Sequence, residues 1–167
     1  MFLKLIKDYF IKKEVKINPV KNTTFSRTVG VLLDVNEIDD LDFLKNKFLN
    51  ELFKDYTVVF LTYNEEKATA KTLDKQEISS KSFSLFGKIQ DNLINHFKEN
   101  NFFILIGLAN NNLYLNKIIQ EIPASYKFGF NQSNNHIFNV SLNGLLLKNS
   151  EFYPELERNL KSFNIIK

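Results

Sequence analysis

The stretch NFFILIGLANNNLYLNKIIQE, residues 101–121, decides the fold. Residues 102–108 are apolar apart from Gly107, and residues 113–122 return to the spacing of an amphipathic helix. The asparagines 110–112 separate the two parts. A strand that is apolar throughout, rather than at alternate positions, needs cover on both faces, which is typical of a central strand in a parallel sheet. The stretch therefore predicts a buried strand, a tight loop and a helix.

Similar units precede this stretch. Residues 28–33 and 57–62 are two more apolar strands, and a helix is predicted between them from about residue 41 to residue 54. Such a β-α-β unit joins parallel neighbours through a right-handed crossover. A further helix is predicted from Gly87 to about residue 100, directly before the central strand.

The chain after the central unit predicts two short strands and a closing helix. Residues 126–130 and 137–142 alternate between apolar and polar side chains, which is typical of edge strands. Only the five polar residues 131–135 link them, so an antiparallel pairing is expected. Residues 151–165 carry the apolar stripe of the closing helix. From residue 28 onward, the order of elements predicts a three-layer α/β sandwich with a mostly parallel, five-stranded sheet.

The N-terminal segment, residues 1–21, differs from the single α/β domain expected over residues 22–167. It holds six lysines against two acids, whereas the rest of the chain holds 16 basic and 17 acidic residues. Residues 2–13 predict an amphipathic helix, with Ile11 off its apolar stripe. The stripe consists of Phe2, Leu3, Leu5, Ile6, Tyr9 and Phe10. Two interpretations stay open: the helix contacts a partner protein, a membrane surface or RNA, or it packs on its own sheet or on a second copy in a homodimer.

Composition excludes several classes of protein. The chain has no cysteine, which removes disulfides, thiolate nucleophiles and cysteine-ligated metal sites. The nearly neutral domain does not favour nucleic acid as a partner. The first residues lack the pattern of a secretory signal, and no uncharged run suits a membrane span, so a cytoplasmic protein is expected.

Candidate site residues follow the strands, because ligands of parallel α/β sheets bind beyond the carboxyl ends of the strands. Asparagine offers both donors and an acceptor, so the asparagine loop could hold a polar ligand; the alternative is that it forms a turn and caps the next helix. Lys88 could bind an anion at a helix start, or it could be a solvated lysine on a tight turn. The predicted ligand-binding residues are Asp34, Tyr63, Lys88, Asn110, Asn112 and Tyr114.

No cofactor, metal ligand or catalytic residue is predicted. The acidic residues between 34 and 42 could hold a divalent cation, but capping by Asp39 or Asp40 explains most of them. The two histidines have no metal-ligand spacing, and the glycine patterns of phosphate-binding loops and of serine nucleophiles are missing.

Four short motifs resemble a family of short, uncharacterised bacterial proteins typical of Bacteroidota, known as a domain-of-unknown-function family. They are FLKLIKDYFIKK at residues 2–13, FSLFGKI at 83–89, NNNLYLNKI at 110–118 and SYKFGF at 125–130. The resemblance implies a Rossmann-like or flavodoxin-like α/β fold in a cytoplasmic protein. It implies no catalytic residues.

Two functions of different classes follow, and the sequence leaves both open. The leading hypothesis is a non-catalytic binding or adaptor domain that uses the basic helix at residues 2–13 as its contact element. The alternative is an enzyme or small-ligand binder, for a nucleotide or sugar-phosphate, that uses the crevice at the strand ends. RNA or ribosome association through the lysines is a third, weaker hypothesis.

Overall fold

All strands of the sheet are parallel. The architecture is that of a computed structural model, which describes residues 2–13, 27–66, 77–110, 112–130, 137–142 and 152–167. The strands are β1 (Thr28–Asp34), β2 (Thr57–Tyr63), β3 (Glu77–Ile78), β4 (Phe102–Leu108), β5 (Ala124–Phe130) and β6 (Val140–Leu142). They form one sheet in the order β3-β2-β1-β4-β5-β6. The predicted α/β class with a parallel sheet is confirmed, with six strands rather than five.

Strand β4 lies at the centre of the sheet, as its unbroken apolar sequence predicted. It pairs with β1 on one side and with β5 on the other. Six of its seven residues are buried, and Phe103 is half-buried. The cover on both faces that such a strand needs is therefore present.

The helices form a layer on each face of the sheet. They are α1 (Phe2–Lys13), α2 (Leu41–Lys47), α3 (Asn92–Lys98), α4 (Leu113–Glu121) and α5 (Phe152–Ser162). Helices α2 and α5 bury Leu44 and Leu156 in the core of one face. Helices α3 and α4 bury Ile94 and Leu115 in the core of the other. This is the predicted three-layer sandwich.

Helix α2 is shorter than predicted but begins as expected. The Asp40 side chain accepts a hydrogen bond from the Phe43 backbone N–H, so Asp40 is the N-cap. After Lys47 the chain continues as a π-helical turn over Phe48–Leu52. This turn keeps Phe48 and Leu52 in the core, where the apolar periodicity required them.

The segment before α3 differs from the prediction. Helix α3 begins at Asn92, where the Asp91 side chain caps it, and not at Gly87. Gly87 instead has a φ of +77° in a tight turn, and Phe83 pairs antiparallel with Ile89 on either side of that turn. The left-handed backbone suits glycine, which carries no Cβ.

The pairing of the last two strands was predicted wrongly. Strand β6 is parallel to β5, and β5 lies inside the sheet between β4 and β6. Next to β6, the Phe138 ring packs directly over the register partners Gly107 and Gly129. Side chains at these glycines would fill that space. The predicted linker 131–135, together with Asn111, the connector around Pro19 and the helix start at Glu151, lies outside the described residues.

Helix α1 packs on the domain with its polar face rather than its apolar stripe. Lys7 donates to the backbone carbonyls of Ser80 and Phe83 at 2.8 and 2.9 Å, and Ile11 is buried against Gly87. Leu3, Leu5 and Tyr9 point outward and are 64%, 61% and 60% exposed. The expectation that the apolar stripe faces a core is wrong for these three residues.

Candidate functional site

A crevice of about 300 Å³ lies beyond the carboxyl ends of β1 and β4. The sheet order reverses between these two strands, so the helices that follow them leave towards opposite faces and a gap opens between their starts. The residues that line it are Lys4, Asp8, Asp34, Glu37, Tyr63, Glu65, Asn110, Asn112, Leu113 and Tyr114.

Five of the six predicted site residues meet in this crevice. They are Asp34, Tyr63, Asn110, Asn112 and Tyr114. Lys88 lies elsewhere, exposed on the turn that begins at Ser84. Its backbone N–H donates to the Ser84 hydroxyl at 3.0 Å, and its carbonyl accepts from the Ser84 backbone N–H at 2.8 Å. Lys88 is thus the solvated lysine of a tight turn, and it is not at a helix start.

Asp34 links the end of β1 to the start of α4. Its carboxylate is 8% exposed and accepts from the Asn112 side-chain amide at 2.7 Å and from the Asn36 backbone N–H at 3.1 Å. The Asn112 carbonyl oxygen in turn accepts from the backbone N–H groups of Tyr114 and Leu115. Asn112 therefore caps α4, as the alternative interpretation of the asparagine loop predicted, and Asp34 fixes the orientation of the cap.

Asn110 is held by its backbone, and its side-chain oxygen has no partner among the described residues. Its backbone N–H donates to a Glu37 carboxylate oxygen at 2.5 Å. Its side-chain carbonyl oxygen is buried and finds no hydrogen-bond partner among the described residues. Glu37 follows β1 by one short helical turn, so it extends the set of carboxylates at this edge of the sheet.

Glu65 organises the side of the crevice nearest β2. Its carboxylate accepts from the Tyr63 hydroxyl at 2.5 Å and from the Ser80 backbone N–H and hydroxyl at 3.1 and 2.8 Å. Lys4 adds an ion pair at 3.4 Å. The Tyr63 ring stacks on the Tyr114 ring with 5.8 Å between centroids, which joins this side to α4.

Helix α1 forms one wall of the crevice. Lys4 reaches Glu65, and the Asp8 carboxylate accepts from the Tyr114 hydroxyl at 2.9 Å. Together with the contacts of Lys7 and Ile11 to the segment over residues 80–87, these bonds hold α1 across the strand ends. The place where α/β proteins bind ligands is here occupied by a helix of the same chain.

The charges in the crevice are predominantly negative. Among the described residues that line the crevice, four carboxylates, of Asp8, Asp34, Glu37 and Glu65, face one ammonium group, of Lys4. A phosphate group would meet net repulsion in this setting. The nucleotide or sugar-phosphate of the alternative hypothesis therefore lacks electrostatic support.

Three ionisable groups in the crevice have pKa values that move away from neutrality. Burial, and then the bond to Glu65, raises the pKa of Tyr63, while burial and the bond to Asp8 raise the pKa of Tyr114. Burial alone would raise the pKa of Glu65, but hydrogen bonds from Tyr63 and Ser80 and the nearby Lys4 outweigh it and lower that pKa. A general acid or base needs a pKa near the working pH, so these groups suit a structural network better than proton transfer.

The lowered pKa of Glu65 predicts how stability changes with pH. A carboxylate with a depressed pKa contributes stability that is present above its unfolded-state pKa and is lost as the pH falls through the folded-state value. Glu65→Gln should therefore be less stable than the wild type at pH 7, by on the order of 1 kcal/mol because Glu65 is partly exposed. The difference should shrink below about pH 4. Urea unfolding at several pH values measures it, with Asp55→Asn at an exposed position as the control; a gap that does not narrow as the pH falls would contradict the role given to the charge.

Sequence reasoning missed four charged residues of the crevice. Glu37 and Glu65 each follow a strand end by a few residues, which was a usable signal. Lys4 and Asp8 lie on α1, and nothing in the sequence shows that this helix covers the strand ends. Within the described residues, no group of three or more His, Asp or Glu side chains is placed to hold a metal ion. Among the described helices, none has both the length and the apolar character that a membrane crossing requires.

The fold and the crevice define an α/β protein with a parallel sheet whose N-terminal helix packs beside the carboxyl ends of its strands. The chain matches DUF6913, a family of unknown function, over residues 4–163, and it belongs to that family. No curated protein and no solved structure matches it. The resemblance to a domain-of-unknown-function family is thereby confirmed at the level of the family.

Proposed function

We propose that this protein is a non-catalytic binding or adaptor module that makes its contact through an outward surface formed by α1 and the turn beside it. The outward surface consists of Leu3, Leu5, Tyr9, Phe10, Leu85 and Phe86. The observation that carries the proposal is the orientation of α1, which uses its polar face to hold the domain and directs its apolar residues outward.

The two parts of the outward surface are held together as one unit. The Phe10 ring packs edge-on against the Phe86 ring, with 5.4 Å between centroids. The Lys7 ammonium group bonds two carbonyls of the segment that leads into the turn, and Ile11 lies against Gly87 at its end. Fixed apolar side chains on a rigid support lose little entropy on binding, which favours a role in recognition.

The exposure of these side chains is costly without a partner. Full burial of a large apolar side chain contributes about 1.5–3 kcal/mol, and Leu3, Leu5, Tyr9 and Phe86 are each more than half exposed. Single exposed apolar residues are ordinary, but a cluster on two adjoining elements is typical of an interaction site. The outward surface therefore supports binding more directly than the crevice supports catalysis.

As part of the same proposal, the sheet order supports a Rossmann-like fold for this protein. The order 3-2-1-4-5-6 is the one that doubly wound dinucleotide-binding proteins have. In this chain the corresponding crevice carries carboxylates rather than a glycine-rich phosphate loop, and α1 covers it. We place the module in the cytoplasm, because a chain without cysteine is compatible with a reducing compartment.

Photo-crosslinking in cells tests the proposed function. Benzoylphenylalanine would replace Tyr9, which is 60% exposed on α1, and in a second variant Phe43, which is 50% exposed on α2. Both changes exchange one exposed aromatic ring for another, so they differ only in the surface that they report. We expect covalent adducts, to protein or to lipid, from position 9 and few from position 43. Equal yields at the two positions would remove the outward surface as the contact site.

The crevice supports a second candidate function, the binding of a small ligand. The buried oxygen of Asn110 is an acceptor without a partner among the described residues, and it lies at the crevice. The surrounding carboxylates favour a neutral or cationic ligand that donates hydrogen bonds. Asp34 is the residue whose replacement separates this function from a structural role for the crevice.

A further inference from the structure

We propose that the outward surface binds a membrane whose surface carries anionic lipid headgroups, with α1 lying in the plane of the interface and the α/β domain above it. The inference rests on the proposed function, because it names the partner of the same surface. It follows from three features of the chain: the protruding apolar side chains, the excess of lysine in the segments that carry them, and the way in which α1 is anchored.

The apolar side chains protrude and do not line a groove. Leu3, Leu5 and Tyr9 on α1 and Phe86 on the turn are between 58% and 64% exposed, which means that most of each side chain stands clear of the domain. Protruding leucine and aromatic side chains can enter the boundary between headgroups and acyl chains without a pocket that fits them. Tyr9 and Phe10 add the aromatic character that is enriched at membrane interfaces.

Lysine is enriched in the two segments that carry the outward surface. In the sequence, residues 1–21 contain six lysines and only two acids, and the turn segment, residues 80–89, adds the exposed side chains of Lys81 and Lys88. Lys4 and Lys7 bond to the domain, as do the carboxylates of Asp8 and Glu65. A net positive charge beside apolar side chains complements a negatively charged lipid surface.

The type of basic residue favours lipid over a protein partner. All basic residues in residues 1–21 are lysines, and the turn segment contributes two more lysines and no arginine. Protein interfaces are enriched in arginine and depleted in lysine relative to the rest of a protein surface. Lysines beside a membrane keep their hydrated ammonium groups at the headgroups while their aliphatic stems cover apolar surface. A second copy of the chain would bring two lysine-rich segments together, which like-charge repulsion opposes.

The anchoring of α1 gives the helix the orientation that interfacial binding needs. An amphipathic helix at a membrane normally directs its polar face to water. In this protein the polar face is bonded to the domain through Lys4, Lys7 and Asp8, so the domain takes the place of water. The helix therefore needs no rearrangement to bring its apolar residues to a membrane. Leu85 and Phe86, at the tip of the turn, would enter beside it.

Vesicle co-sedimentation of the full chain tests the inference. We expect binding to vesicles of phosphatidylglycerol mixed with phosphatidylcholine, weaker binding to phosphatidylcholine alone, and loss of binding as salt is added. The double variant Leu5→Ser/Phe86→Ser should lower the partition coefficient by roughly tenfold for each apolar side chain removed. Lys81→Gln/Lys88→Gln should lower it by about fivefold for each charge.

Matched controls separate the loss of the binding surface from the loss of the folded structure. Phe43→Ser/Leu49→Ser removes two apolar side chains of similar exposure, 50% and 44%, from α2 and the turn after it, and should bind vesicles like the wild type. All variants should keep the wild-type unfolding midpoint within the range usual for exposed positions. A variant that loses binding because it no longer folds is recognised by its lower unfolding midpoint.

Three results would overturn the inference. The first is no binding to phosphatidylglycerol vesicles at low salt, and the second is unchanged binding by Leu5→Ser/Phe86→Ser. The third is a dimer in sedimentation experiments that the same double variant dissociates. If the vesicles do not bind but crosslinks from position 9 lead to a protein, the lipid inference fails and the proposed function survives. If position 9 gives no more adducts than position 43, the proposed function fails as well.

Discussion

Gly129→Ala is expected to lower the free energy of unfolding by about 3 kcal/mol. A Cβ at this position would overlap the Phe138 ring, which lies flat over the strand and is itself only 9% exposed. The same ring also lies close over Gly107, the register partner of Gly129 on the neighbouring strand. A Cβ at Gly107 would meet the ring at 2.9 Å, so the ring has little room to move. For a chain of this length, thermal unfolding should show a midpoint lower by roughly 6–12 °C.

A double-mutant cycle shows whether the Phe138 ring causes the loss. Phe138→Ala alone should cost about 3 kcal/mol by leaving a cavity over the two glycines. Adding Gly129→Ala to Phe138→Ala should then cost less than about 1 kcal/mol, because the overlapping ring is gone. If alanine at position 129 is equally costly with and without the ring, overlap with Phe138 is not the cause of the loss.

The strands of the sheet differ in how far the sequence predicts them. Strand β4 is recognisable because seven nearly uninterrupted apolar residues have only one stable environment, the buried centre of a parallel sheet. The parallel direction of β6 was not recognisable, because the short predicted linker favoured an antiparallel pair, and the contact of Phe138 with glycines on two other strands leaves no local pattern. Strand β3 has only two residues and exists through its pairing with β2, so no local pattern marks it.

The crevice was predicted to the extent that it follows from topology. Residues directly after buried strands must gather at one edge of a parallel sheet, and for that reason Asp34, Tyr63 and Asn110 were found. Lys88 was misplaced because Gly87 has the sequence context of a helix start but the φ of a turn. The orientation of α1 was missed because periodicity shows that a helix has an apolar stripe, and not what the stripe faces.

Asp34→Ala is expected to lower the free energy of unfolding by about 2–3 kcal/mol, the other large effect. The change removes the buried acceptor of the Asn112 amide and of the Asn36 backbone N–H. Asn112 then still caps α4, but its side-chain amide no longer has the Asp34 acceptor that fixes its orientation. Urea denaturation gives the loss, and Asp39→Ala, an exposed aspartate on the same connection between β1 and α2, should change stability by less than about 0.5 kcal/mol.

The sign of the Asp34 effect decides between the two functions of the crevice. Groups placed for ligand binding are commonly destabilising, so their removal raises stability at the expense of function. Groups placed for structure behave in the opposite way, and the hydrogen bonds of Asp34 are of that kind. A cycle with Asn112→Ala should show that the two residues are coupled by at least about 1 kcal/mol. If Asp34→Ala instead stabilises the protein, the buried Asp34 side chain destabilises the fold. Small-ligand binding would then explain this edge of the sheet better than a structural role does.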